Sequence, residues 1–113
     1  MRAIHKVRLD KVRPAVILTR EIAVRSGRNV TVAPITSTIY GLLSEVPVGP
    51  ANGLDHVSVI NCDDIVTVAP EDVLEHIGFL DDAGEQVLLA ALLKTFDFRL
   101  VPQRTGPPVP GDR

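Results

Sequence analysis

Two short segments carry the residue types that act on a phosphate. Val12-Arg13-Pro14-Ala15-Val16-Ile17 places an arginine at the entry of an apolar stretch. Ala33-Pro34-Ile35-Thr36-Ser37-Thr38 places three hydroxyls just past a strand-like run. A guanidinium offers a planar fork of donors that suits phosphate oxygens and stays charged at any working pH. Hydroxyls beside it can donate to phosphate oxygens or to bases. On residue chemistry alone, an arginine paired with a carboxylate and a Thr/Ser turn capping its own backbone are the better explanations of the two segments.

Other catalytic sets are missing from the sequence. His5, His56 and His76 are far apart and sit in no metal-ligand spacing, and there is no glycine-rich phosphate loop or nucleophile turn. Asp63 and Asp64, following Cys62, read as adjacent strand residues pointing to opposite faces, which disfavours a shared ion. No metal and no cofactor is expected.

The elements that must hold these segments are mostly strands. Ile4 to Leu9, Pro14 to Thr19, Asn29 to Ile35, Leu43 to Val48, Val57 to Asn61 and Asp64 to Val68 have strand character. The run from Pro14 is nearly all apolar, as in a strand buried on both faces. Pro34 predicts an edge or a bulge at the end of its strand. Ser26-Gly27-Arg28-Asn29 and the segment Val48 to Gly53 read as turns.

Two helices are predicted after the strands. One starts at Pro70-Glu71-Asp72 and ends near Gly78, with His76 inside it. The other opens on Asp82-Ala-Gly-Glu85, the spacing of a capping box, and presents Val87, Leu88, Ala91, Leu92 and Phe96 on one face. Residues 1–100 are expected to form one domain, a mainly β fold with a C-terminal helix (α+β), built as a small bent barrel or sandwich. Residues 101–113, rich in proline and glycine, are expected to be a disordered tail.

With 113 residues, 45% hydrophobic and 23% charged, the chain has the balance of an ordinary globular domain. Its single cysteine excludes an internal disulfide framework. The charged N-terminal segment lacks the apolar core of a secretion signal, and no stretch reaches the ~18 apolar residues of a membrane helix. A cytoplasmic protein with no membrane partner is expected. Net charge is −2, but residues 1–40 hold eight Lys/Arg against two acids, and residues 41–113 hold four against twelve. That asymmetry predicts an anion-binding surface from the first half.

The order R-P-A-V-I-L (13–18) and, about twenty residues on, V-A-P-I-T-S (32–37) resembles the two most recognisable motifs of MazF/PemK toxins. Glu45-Val46-Pro47-Val48, the run Ser58 to Asp63, Ile77-Gly78 and the helix from Glu85 to Phe96 continue the likeness over residues 4 to 98. The resemblance implies an SH3-like, CcdB/PemK-type barrel, paired as a homodimer. It also implies a metal-independent endoribonuclease that cuts single-stranded RNA at short preferred sequences, leaving 2′,3′-cyclic phosphate and 5′-hydroxyl ends. Arg13 and Thr36 would be catalytic, with Ser37 and Thr38 beside the substrate. The implied partner is a MazE-like antitoxin that lays an extended acidic segment across the RNA groove.

The first loop departs from the family. Only Leu9-Asp10-Lys11-Val12 stands where typical members have a longer loop with a G-S-E stretch. Asp10, Lys11 and His5 are expected to line the shortened groove instead, as in a compact subgroup. Two other readings remain open: a CcdB-like toxin of the same barrel that binds DNA gyrase, and a relative that binds RNA or antitoxin without cutting.

Overall fold

The computed structural model describes residues 1–101; the tail expectation falls almost wholly outside them. Seven strands carry the fold: β1 (Arg2–Arg8), β2 (Val12–Ile17), β3 (Val30–Thr36), β4 (Glu45–Val48), β5 (Ser58–Asn61), β6 (Val66–Val68) and β7 (Val73–Leu80). A five-residue helix, α1 (Glu21–Arg25), joins β2 to β3, and α2 (Asp82–Thr95) follows β7. Every pairing is antiparallel, in the order β4-β5-β3-β2-β1-β7, with β6 on β3.

β3 is the hub. One edge pairs with β2, while the other pairs first with β6 (Val32 opposite Val66) and then with β5 (Ile35 opposite Ile60). Pro34 lies where that second edge changes partner, so its missing N–H falls in a break of the ladder. The strand expected to end at an edge or bulge there instead runs through Pro34 to Thr36 at the centre of the sheet.

The nearly unbroken apolar run of β2 is explained by burial on both faces. Val16 belongs to a larger core cluster with Ile4, Ile35, Ile60, Leu80 and Leu88. Its neighbours Ala15 and Ile17 belong to a second cluster with Val7, Val30 and Val32. Leu88 and Ala91 seat α2 on the larger cluster, with Leu92 partly buried beside it. Full burial of a leucine side chain contributes about 1.5–3 kcal/mol. Val87 and Phe96, assigned to the same helical face, are 50% and 52% exposed, so the packed stripe is narrower than the periodicity predicted.

Three expectations are corrected. The residues from Val73 to Gly78 form strand, not helix: the Pro70-Glu-Asp signal marks a single 3-10 turn (Pro70–Asp72), after which pairing with β1 takes over. Two register shifts in the β1–β7 pairing interrupt the alternation that would have marked β7 as a strand. The α2 cap is Asp81, whose carboxylate accepts the Gly84 N–H at 2.7 Å, one residue before the predicted box. Cys62–Asp64 is a 3-10 turn rather than strand, and its two carboxylates take separate partners, Ser44 for Asp63 and Asn61 for Asp64. Helix α1, with its Glu21–Arg25 pair one turn apart, was not foreseen at all. No described helix is long and apolar enough to cross a membrane.

The sheet curls until β7 meets the 3-10 turn Pro50–Asn52 that follows β4. There Asn52 donates from Nδ2 to the Phe79 carbonyl at 3.1 Å. The backbones approach so closely that a Cβ on Gly53 would lie 2.1 Å from the Ile77 oxygen, and one on Gly78 would lie 1.8 Å from the Asn52 oxygen. Gly53 also has φ +87, a conformation side chains rarely adopt. Gly78→Ala is therefore expected to destabilise the fold by about 2–3 kcal/mol in urea unfolding. Gly49→Ala, whose Cβ would meet nothing nearer than 3.8 Å, is the matched control and should change little.

Candidate active site

Arg13 and Thr36 come together through the β2–β3 register. Ala15 pairs with Pro34, and continuing that register by two residues sets Arg13 across from Thr36 on one face of the sheet. The connection before β2 is only Leu9-Asp10-Lys11, tightened by the Leu9 N–H donating to the Lys11 carbonyl. This short turn brings Asp10 onto Arg13. Arg13 Nε donates to Oδ1 at 2.9 Å and Nη2 donates to Oδ2 at 3.0 Å, a two-pronged contact that locks the guanidinium plane. Two of its five N–H donors are thus committed and three remain.

Thr36 is also held locally. Its Oγ1 accepts the Thr38 N–H at 3.1 Å, which leaves the hydroxyl hydrogen free to be donated elsewhere. The plain alternatives for both segments, a carboxylate-paired arginine and a hydroxyl turn, are thus present in the structure. They orient the two side chains without using up their donors.

Arg13, Thr36 and Thr38 stand where two open clefts meet. One, of about 440 Å³, runs toward Tyr40, Asn61 and Asp64. The other, of about 640 Å³, runs past Lys11, Ser37, His56 and Lys6. Asp10 lines the first and Lys11 the second, so the shortened loop does border the groove. His5 does not. Its neighbour on β1, Lys6, faces the groove, so alternation turns His5 to the other side of the sheet. There it lies 2.9 Å from the Leu74 carbonyl through Nδ1, edge-on to His76. The groove residues Tyr40, Glu45, Asn61, Asp64 and His56 were not singled out as site residues from the sequence, because they reach it from loops and from β4 and β5.

The basic first half does not form a continuous positive surface. Arg2 pairs with Glu85, Lys6 with Glu75 and Arg8 with Asp72, at 2.7, 3.0 and 3.1 Å. Arg13 and Arg25 pair with Asp10 and Glu21. Acids from the second half thus neutralise much of the charge that seemed segregated along the chain. In the groove the cations are Arg13, Lys11 and Lys6, beside the carboxylates of Asp55 and Glu75, while exposed Arg20 and Arg28 lie outside it.

The description "PemK-like, MazF-like toxin of type II toxin-antitoxin system" belongs to the family whose profile matches residues 5–96. The chain is similar to endoribonuclease MazF3 of Mycobacterium tuberculosis, 47% identical over 97 residues that cover 86% of this chain and 94% of that protein. It is similar in structure to the M. tuberculosis toxin MazF-mt6, with a TM-score of 0.84 and 45% identity over 87% of this chain and 99% of the other. A mycobacterial endoribonuclease solved in complex with its cognate antitoxin shares the fold, with a TM-score of 0.77 at 20% identity, covering 88% of this chain and 95% of that one. The mostly antiparallel sheet with a C-terminal helix is the fold of these toxins.

The Asp10–Arg13 contact has a titration signature. The Arg13 hydrogen bonds, helped by the Lys11 N–H, hold the Asp10 carboxyl down at about 2. A depressed carboxyl pKa stabilises the fold above the ordinary range near 4, and that contribution is lost as pH falls toward the depressed value. The pair is therefore intact throughout the neutral range. A carboxyl-detected NMR titration should give an Asp10 midpoint near 2 in the native protein. In Arg13→Ala the midpoint should rise toward 4; an unchanged midpoint would show that Arg13 does not hold this carboxylate.

Proposed function

This chain belongs to the PemK-like, MazF-like toxins of type II toxin–antitoxin systems, and from that membership we propose that it is a metal-independent endoribonuclease whose scissile phosphate sits on Arg13 and Thr36. The observation that carries the site assignment is the oriented pair at the junction of two clefts, with donors still free.

In the proposed reaction the ribose 2′-oxygen attacks the adjacent phosphorus. The new O2′–P bond forms as the P–O5′ bond breaks, the 2′-hydroxyl loses its proton and the departing 5′-oxygen gains one. The products are a 2′,3′-cyclic phosphate and a 5′-hydroxyl. Negative charge grows on the phosphate oxygens in the transition state. The three uncommitted Arg13 donors and the Thr36 hydroxyl are aimed at that charge, and donors already fixed by Asp10 and Thr38 need no reorganisation as it develops. The proton released by the 2′-hydroxyl passes through water to the departing 5′-oxygen, and Arg13, which stays charged, holds a donor against that oxygen.

Two partners follow from the family. A cognate antitoxin silences the enzyme, and an extended acidic segment laid along the groove would meet Lys6, Lys11 and Arg13. A second copy of the chain completes a homodimer, for which exposed Leu89, Phe96 and Phe98 offer apolar surface. We place the reaction in the cytoplasm, with its RNA substrates, and residues 1–100 form the whole catalytic domain in this reading.

The test is cleavage of a diverse single-stranded RNA pool in excess EDTA, with end-group analysis. The wild type should leave cyclic phosphate and 5′-hydroxyl ends. Arg13→Ala and Thr36→Val should each lose about 10²–10³ in kcat while remaining folded. No cutting by the folded, antitoxin-free wild type would overturn the reading, in favour of a toxin that binds a protein or a relative that does not cut. Gyrase supercoiling then separates those two.

A further inference from the structure

The two arms of the groove differ in chemistry. The larger arm sets Lys6, Lys11 and Arg13 against two carboxylates, Asp55 and Glu75, and adds His56 and the hydroxyls of Ser37 and Ser58, so it keeps a surplus of cations that suits a phosphate backbone. The smaller arm has no cation besides Arg13, and three carboxylates, Asp10, Glu45 and Asp64, line it. A phosphate would be repelled there. Leu9, Val66 and Tyr40 line the same arm, so it offers apolar faces with polar edges, the character of a nucleobase rather than of its backbone.

Tyr40 is the chain's only tyrosine and is 76% exposed. A tyrosine so open needs another reason to be there than packing. Its loop is held in place: the Glu45 carboxylate accepts the Tyr40 N–H at 3.2 Å and the Leu42 N–H at 2.9 Å. Across the arm, Asn61 is fixed at both ends of its amide. Its Oδ1 accepts the Asp63 N–H at 2.9 Å, and its Nδ2 donates to Asp64 Oδ2 at 2.8 Å. That arrangement leaves one Asn61 amide hydrogen and Asp64 Oδ1 without partners among the described residues, a donor and an acceptor side by side.

We propose that the Tyr40–Asn61–Asp64 arm is a base-reading subsite next to the scissile phosphate, which stacks one nucleobase on Tyr40 and selects an amino-bearing base, cytosine or adenine. The carboxylate oxygen accepts from the exocyclic amine, and the Asn61 amide donates to the adjacent ring nitrogen. Uracil and guanine present a keto oxygen at the position of that amine, and a carboxylate rejects it. This deepens the nuclease reading and rests on it.

The experiment is cleavage of a randomised single-stranded RNA pool, sequenced at the cut ends, with kcat and KM measured on the preferred sequence. Tyr40→Ala should raise KM roughly tenfold, the loss of one base–aromatic stack, with kcat little changed, and Tyr40→Phe should restore it. Asp64→Asn keeps an oxygen for Asn61 but replaces the free acceptor with a donor. At a single position flanking the cut, its preference for cytosine or adenine should be lost, with the other positions unaltered: the new amide opposes the exocyclic amine, while the Asn61 donor still opposes the ring N–H of uracil or guanine. A wild type that cuts, with both variants keeping its KM and its base profile, overturns the subsite and leaves the nuclease intact. A wild type that cuts nothing overturns the nuclease reading itself.

Discussion

The candidate site depends on the register in which β2 pairs with β3. Side chains alternate along a strand, so a slip of one residue would turn Arg13 and Thr36 to opposite faces. The slip is prevented by burial on both sides of the same two strands. Val16 and Ala33 fill one core cluster while Ala15, Ile17 and Val32 fill the other. Displacing either strand by one residue would exchange the contents of two packed clusters at once. The polar ends of these strands inherit a position that the apolar middles enforce.

Local contacts then refine what the register provides. A three-residue turn is too short to form a lid, and it delivers Asp10 onto Arg13. Thr38 does the same for Thr36 through its backbone N–H. Neither contact is buried, and exposed pairs add little to stability. Their value lies in direction: a long arginine side chain loses most of its rotamer freedom before any substrate arrives, which lowers the entropic cost of engaging a phosphate.

Charge shows how far linear order can mislead. Along the chain the first forty residues are strongly basic and the rest acidic. In the fold, β7, the turn before it and α2 lay Glu75, Asp72 and Glu85 against Lys6, Arg8 and Arg2. A surface field falls off within about 8 Å at physiological salt, so what a ligand meets is the local balance. That balance sets three cations against two carboxylates in one arm of the groove and one cation against three carboxylates in the other, a division that cuts across sequence order.

By itself, the sequence determined six of the seven strands, the double-sided burial of β2, the amphipathic α2 and the identity of the arginine and hydroxyl segments. These are local matters, written in the period of apolar residues and in the chemistry of single side chains. It also placed Asp10 and Lys11 beside the groove, since they stand next to Arg13 in the chain. Tertiary structure alone decided that Val73–Leu80 is a strand, because its partner β1 lies some seventy residues away and bulges blur its alternation. Tertiary structure also sent His5 to the far face and gathered Tyr40, Asn61 and Asp64 into one arm. Groove walls are built from residues distant in sequence, and no periodicity records which loops a curled sheet will bring together.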